Sequence, residues 1–163
     1  MIRLLTMSLA VASAMLLWST NTSAQVKHLQ TERSAIATAV WAGDTLYVSG
    51  QLPTPTTPAD TAGGIPAVYG STQEQTESAL MKIEAILREQ GLGFRDVVMM
   101  HVFLVGDPTK GGTLDFAGMM AAYTRHFGTT DQPNKPARSA MQVSALAAAG
   151  ALVEIEVIAV RPG

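Results

Sequence analysis

Val97-Val98-Met99-Met100-His101-Val102-Phe103-Leu104-Val105 is an unbroken apolar run apart from its histidine. Its length and β-branched content, between Arg95-Asp96 and the turn residues Gly106-Asp107-Pro108, predict a central strand covered on both faces. His101 is the anomaly. In such a strand a lone histidine is more often a core residue bonded to backbone than a general base.

Upstream, Ser71-Thr72-Gln73-Glu74 fits a capping box, and Thr76, Leu80, Ile83, Ile86 and Leu87 then recur at helical spacing as far as Gly91, which predicts a helix with one buried face. Downstream, Phe116, Met119, Met120, Tyr123 and Phe127 mark a second helix within 114–127, where the methionine pair reads as core filling. Ile36, Thr38 and Val40 alternate up to Trp41, and Ala42-Gly43-Asp44 turns the chain into Thr45–Ser49, a hairpin pattern. Strands over 137–146 and 151–160 complete the order ββαβαββ. The fold class is therefore α+β: a single mixed β-sheet with two helices on one face. The other face has few charges to cover it, so self-association into a symmetric oligomer is expected.

The ends and loops divide the chain. Met1-Ile2-Arg3, the apolar run Leu4 to Trp18 and Thr22-Ser23-Ala24 read as a secretory signal peptide over 1–24, because the run is shorter than the roughly 20 residues of a spanning helix. A lipid anchor would need a cysteine, and none is present. A periplasmic or secreted location follows as the expectation, with no membrane contact after cleavage. Residues 25–33 are polar and unpatterned, a flexible N-terminal arm, and 34–163 form the folded domain. Residues 52–70 hold four of the eight prolines and Gly63-Gly64, a long loop that is either functional or a surface excursion.

Composition narrows the chemistry. The 163 residues are 47% hydrophobic and 15% charged, which excludes a disordered or collagen-like chain. Lys and Arg number 11 against 13 Asp and Glu, and they form no basic block, so nucleic acid is not an expected partner. Without cysteine there is no disulfide, thiolate nucleophile or Cys-ligated zinc. His28, His101 and His126 have no metal-site spacing, and no Walker loop, nucleophile elbow or H-E-x-x-H motif occurs. Gly91-Leu92-Gly93 follows a helix and lacks the third glycine of a dinucleotide loop, so it is a helix cap. No metal and no cofactor is expected.

Two segments carry chemistry. Pro136-Ala137-Arg138-Ser139 opens a strand, and in Val153-Glu154-Ile155-Glu156-Val157 the alternation puts both glutamates on one face. Carboxylates on a sheet face require hydrogen bonds or a cation, and Arg138 is the nearest in chain order. A tight hairpin about Ala148 would set Arg138 several residues past Glu154, so a meeting of the two calls for a neighbouring subunit. Spacing alone favours a structural ion pair at an oligomer interface over a catalytic one.

Ser49-Gly50-Gln51-Leu52-Pro53, Glu74-Gln75-Thr76, Asp96 before the apolar strand, Asp115-Phe116 with Tyr123 and Phe127, Pro136-Ala137-Arg138-Ser139 and Gly150-Ala151-Leu152-Val153-Glu154-Ile155-Glu156 occur in order from Ser34 to Val160. The set resembles the RidA (YjgF) family. That resemblance implies a chorismate-mutase-like fold, a homotrimer with a central barrel, and ligand clefts between subunits. It also implies cofactor-independent hydrolysis of reactive 2-imino or enamino acids to 2-keto acids and ammonia. By matching positions Arg138 would grip the substrate carboxylate with its two-pronged guanidinium and Glu154 would orient the attacking water, with Gly50 and Ala140 lining the cleft. Ile36 stands where the active enzymes usually carry Tyr, Met120 where they carry Asn, and Ala140 where Cys is frequent, making the pocket more apolar. Three functions stay open: a deaminase of altered specificity, a non-catalytic trimer that binds a small carboxylate, and a holdase-type chaperone.

Overall fold

The computed structural model describes residues 25–163, so the expected signal peptide lies outside the described residues. Six strands and two helices follow in the order β1 (Val26–Leu29), β2 (Ala39–Ala42), β3 (Thr45–Gln51), α1 (Thr72–Glu89), β4 (Val97–Val105), α2 (Phe116–Tyr123), β5 (Ala137–Val143) and β6 (Val153–Val160). They build one sheet in the spatial order β1-β2-β3-β6-β4-β5. All neighbours are antiparallel except β4 and β5, which run parallel, so the sheet is mixed, as expected.

Strict alternation in β6 decides which face is which. Val153, Ile155, Val157 and Ala159 are buried while Glu154, Glu156 and Ile158 are half-exposed. In β4 the buried members are Val97, Met100, Val102 and Leu104. Leu80, Ile83 and Leu87 of α1 and Met119 and Tyr123 of α2 pack on this face to form one core. Each fully buried large side chain contributes about 1.5–3 kcal/mol. The second face carries Met99, His101, Phe103, Met141 and the two glutamates, and no helix among the described residues lies over it.

The capping box is present: the Glu74 N–H donates to Ser71 Oγ at 3.3 Å and the Ser71 N–H donates to Glu74 Oε2 at 2.8 Å. At the far end of β4, Asp107 accepts from the Thr109 N–H at 2.8 Å and its hydroxyl at 2.7 Å, and from Thr72 Oγ1 at 3.4 Å. These bonds hold the Asp107 carboxyl below its usual range, Thr109's hydroxyl having the largest effect. They tie the start of α1 to the turn that leads towards α2.

Four sequence expectations are corrected. Residues 25–33 are not simply an arm, because Val26–Leu29 pairs with β2. Three of its four side chains are exposed, so no hydrophobic alternation announced this edge strand; the outer backbone edge of β2 holds it. The first hairpin strand begins at Ala39, leaving Ile36 in the preceding connection. The last two strands form no hairpin, since β4 lies between β5 and β6. His101 is not a core residue: it lies half-exposed on the helix-free face, which β4 does not bury.

The loop 52–70 folds back on itself through bridges Thr57 to Val68 and Asp60 to Ile65. Lys82 Nζ donates to the Leu52 carbonyl at 2.9 Å and pins its start to α1. No helix among the described residues is long and apolar enough to cross a membrane. Replacing Ser71 with Ala removes the cap of α1 and should lower unfolding stability by about 1 kcal/mol in urea titration, with the slope unchanged.

Candidate functional site

Arg138 pairs in register with Met100, so its side chain emerges on the helix face at the edge of the sheet. There α2 meets it. The guanidinium carbon sits 4.3 Å from the centroid of the Tyr123 ring and 5.9 Å from that of Phe116. Nη1 lies 3.2 Å from Met120 Sδ and 3.8 Å from Met119 Sδ. Aromatic faces and thioethers are weak partners for a cation. No carboxylate among the described residues pairs with it. Ala140, two residues on, shares this face and packs against the core. A cavity of about 470 Å³ opens beside the guanidinium, lined in part by Met120, Tyr123, Phe127 and Pro136.

Burial pushes the Tyr123 phenol above its ordinary value, and the nearby Arg138 charge only partly offsets that. The phenol therefore stays protonated at neutral pH.

Glu154 projects from β6 on the opposite face. Its partner in β4 is Phe103, and its carboxyl group lies over Gly50, where a Cβ would collide with Oε1. Gly50 falls within the irregular stretch of β3 between Val48 and Gln51, which gives the carboxylate its room. Ile36 belongs to this end of the sheet. Ser49 donates its hydroxyl to the Ala37 carbonyl at 2.7 Å and its N–H to Thr38 at 3.1 Å, and Ile36 itself is 69% exposed.

The two glutamates of β6 have different fates. His101 Nδ1 lies 2.8 Å from Glu156 Oε1, a contact that β4–β6 register enforces by placing the two residues opposite one another. Glu154 has no ion partner among the described residues. Sequence alternation treats the pair as equivalent, and only the register separates them.

The six candidates therefore fall into two groups. Arg138, Met120 and Ala140 gather at the β5 edge under α2; Glu154 and Gly50 meet where the central strands β6 and β3 pair, and Ile36 lies in the connection that Ser49 ties to β3. Within one chain Arg138 and Glu154 are on opposite faces, separated by β4 and offset by three residues along it. At about 4.8 Å per strand and 3.3 Å per residue their backbones stand roughly 14 Å apart. They form no intrachain ion pair. Among the described residues no cluster of His, Asp and Glu could hold a metal ion.

One mixed sheet under two helices, with an arginine at its parallel edge that no described carboxylate pairs, defines a chorismate-mutase-like α+β domain. The sequence matches the family model described as Endoribonuclease L-PSP over residues 30–161. It is 36% identical over 140 residues to a RutC family protein of Haemophilus influenzae, covering 84% of this chain and 97% of that protein. It is 37% identical over 123 residues to the 2-iminobutanoate/2-iminopropanoate deaminase of Capra hircus, covering 76% of this chain and 77% of that one. Escherichia coli TdcF, solved with bound serine, superposes with a TM-score of 0.63 at 28% identity over 83% of this chain and 99% of its own. The chain belongs to the RidA/YjgF family.

Because the Arg138 charge lowers the Tyr123 pKa, Arg138→Met should move that phenol's titration still further above the ordinary value. Ultraviolet difference titration, with Tyr123→Phe to identify the transition among the three tyrosines, measures it.

Proposed function

We propose that this protein hydrolyses 2-imino and enamino acids to 2-keto acids and ammonia in a cleft completed between copies of itself. The observation that carries the reading is the Arg138 guanidinium, half-buried against Tyr123 with thioethers and rings beside it and no carboxylate among the described residues pairing it. A cation so placed has unsatisfied donors for an incoming carboxylate. The named activity of the deaminase relatives supports the chemistry.

In this mechanism Arg138 holds the substrate carboxylate in two parallel bonds, which fixes the neighbouring C=N carbon. Glu154 of an adjacent copy takes a proton from water as its oxygen bonds to that carbon and the second C=N electron pair moves to nitrogen, and the carboxylic acid then returns that proton to the nitrogen. The resulting carbinolamine expels ammonia and leaves the carbonyl. The reaction consumes only water and needs no cofactor. Two half-sites on opposite faces of one chain meet only across a contact between copies, and a heterologous contact whose rotation closes gives a ring. A homotrimer with its helix-free sheet faces turned inward as a barrel satisfies this geometry and covers Phe103, Met99 and Met141. Ile36 and Met120 would line the cleft as apolar contacts, with backbone at Gly50 and Ala140.

The family model's description names RNA cleavage, but the chain has more acidic than basic residues and no basic block. A small carboxylate suits a single guanidinium better. Binding without turnover is the second reading, favoured by Met120 Sδ occupying the guanidinium's flank where a polar group would orient a substrate. A periplasmic or secreted location, with a mature chain beginning at Gln25, completes the proposal. Mass spectrometry of the exported fraction should find that N-terminus.

Imines generated in place by an amino-acid oxidase, with semicarbazide trapping the unreacted fraction, provide the assay. Wild type should accelerate keto-acid release. Arg138→Ala should lower kcat/KM about 30-fold to several thousand-fold, the range for loss of a buried charged clamp, and Glu154→Gln about 10²- to 10⁴-fold. No acceleration, with keto acids still bound through Arg138, would favour the binding reading. Suppression of client aggregation indifferent to Arg138 would favour a holdase.

A further inference from the structure

The cavity beside Arg138 has a second cation on its wall. Lys135 lines it together with Arg138, Met120, Tyr123 and Thr124, and no Asp or Glu contributes. Among the described residues Lys135 has no ion-pair partner.

Its placement is built into the connector. Pro136 follows it and is buried, which holds Lys135 in extended backbone. Asn134 before it is anchored: its Nδ2 donates to the Arg95 carbonyl at 3.1 Å and its N–H to Gln132 Oε1 at 2.9 Å. The lysine stem then lies across Gly128, whose φ is 73° and where a Cβ would strike Lys135 Cε. That left-handed turn favours glycine, and the missing side chain is what lets the stem lie flat along the cavity wall. Lys135 and Arg138 are three residues apart, about 10 Å of extended chain, with both side chains bordering the same space.

A single carboxylate satisfies one of these cations and leaves the other unanswered. Two cations flanking an apolar floor match a short ligand with an acidic group at each end. We propose that Lys135 is a specificity-determining residue and that the preferred substrates are 2-imino acids bearing a second, side-chain carboxylate, the imines of acidic amino acids. This rests on the deaminase or carboxylate-binding reading of the same site, with Arg138 on the carboxylate next to C=N and Lys135 on the distal one.

Calorimetric binding of two stable keto acids tests it: 2-oxobutanoate, a monoanion, and 2-oxoglutarate, a dianion. The readout is their affinity ratio. Wild type should favour the dianion about fivefold, as one more partly exposed ion pair allows, and the ratio should shrink as salt is raised. Lys135→Met should bring the ratio near one. Arg88→Met removes the same charge from the outer face of α1 and should preserve it. Arg138→Ala should abolish binding of both acids. An equal ratio in wild type, a preference that survives Lys135→Met, or one that falls equally in Arg88→Met overturns the role of Lys135 while leaving an Arg138-dependent site standing. If neither acid binds wild type, or both bind Arg138→Ala as well as wild type, the underlying site reading fails and the proposal with it.

Discussion

The pairing of the C-terminal strand β6 with both β3 and β4 is the constraint on which the rest of the molecule depends. Its alternation directs Val153, Ile155, Val157 and Ala159 towards the helices and Glu154 and Glu156 away from them. A slip of one residue would exchange the two sets and bury two carboxylates under α1. The same register puts Glu156 opposite His101 and Glu154 above Gly50. One hydrogen-bonding pattern thus sets the core, the helix-free face and the position of the β6 glutamate left without a side-chain partner among the described residues.

Much of this was legible because it rests on periodicity. Leu80, Ile83 and Leu87 repeat at helical spacing, and the alternation around Glu154 is plain in the chain. Arg138 and Glu154 were legible as residues, through the resemblance, but their separation was not. Chain order suggested a hairpin between β5 and β6, whereas β4 is inserted between them. Periodicity carries the orientation of a side chain and is silent on strand neighbours. Val26–Leu29 was illegible for a related reason: an edge strand exposed on both faces has no inside to record. Nothing in the apolar run Val97–Val105 marks one of its faces as bare, and in the single chain His101 lies on that bare face.

The site candidates show how one sheet holds incompatible groups apart. A buried arginine and glutamate within reach would neutralise each other and leave little affinity for a ligand. Here the sheet lies between them. Arg138 faces rings and thioethers, which shield it from water without quenching its charge, and Glu154 stands over a glycine. Met120 contributes by what it lacks: its sulfur fills the flank of the guanidinium and competes poorly with a carboxylate.

The position of β6 also governs the order in which the molecule can be made. Strands β1–β3 and the pair β4–β5 have no direct contact within the sheet until residues 153–160 enter between them. Without residues 153–160 the sheet is two separate pieces, each with an open strand edge, joined only through the packing of the helices. Closure must await residues 153–160, and the long sequence separation between β3 and β6 makes it slow by comparison with helix formation.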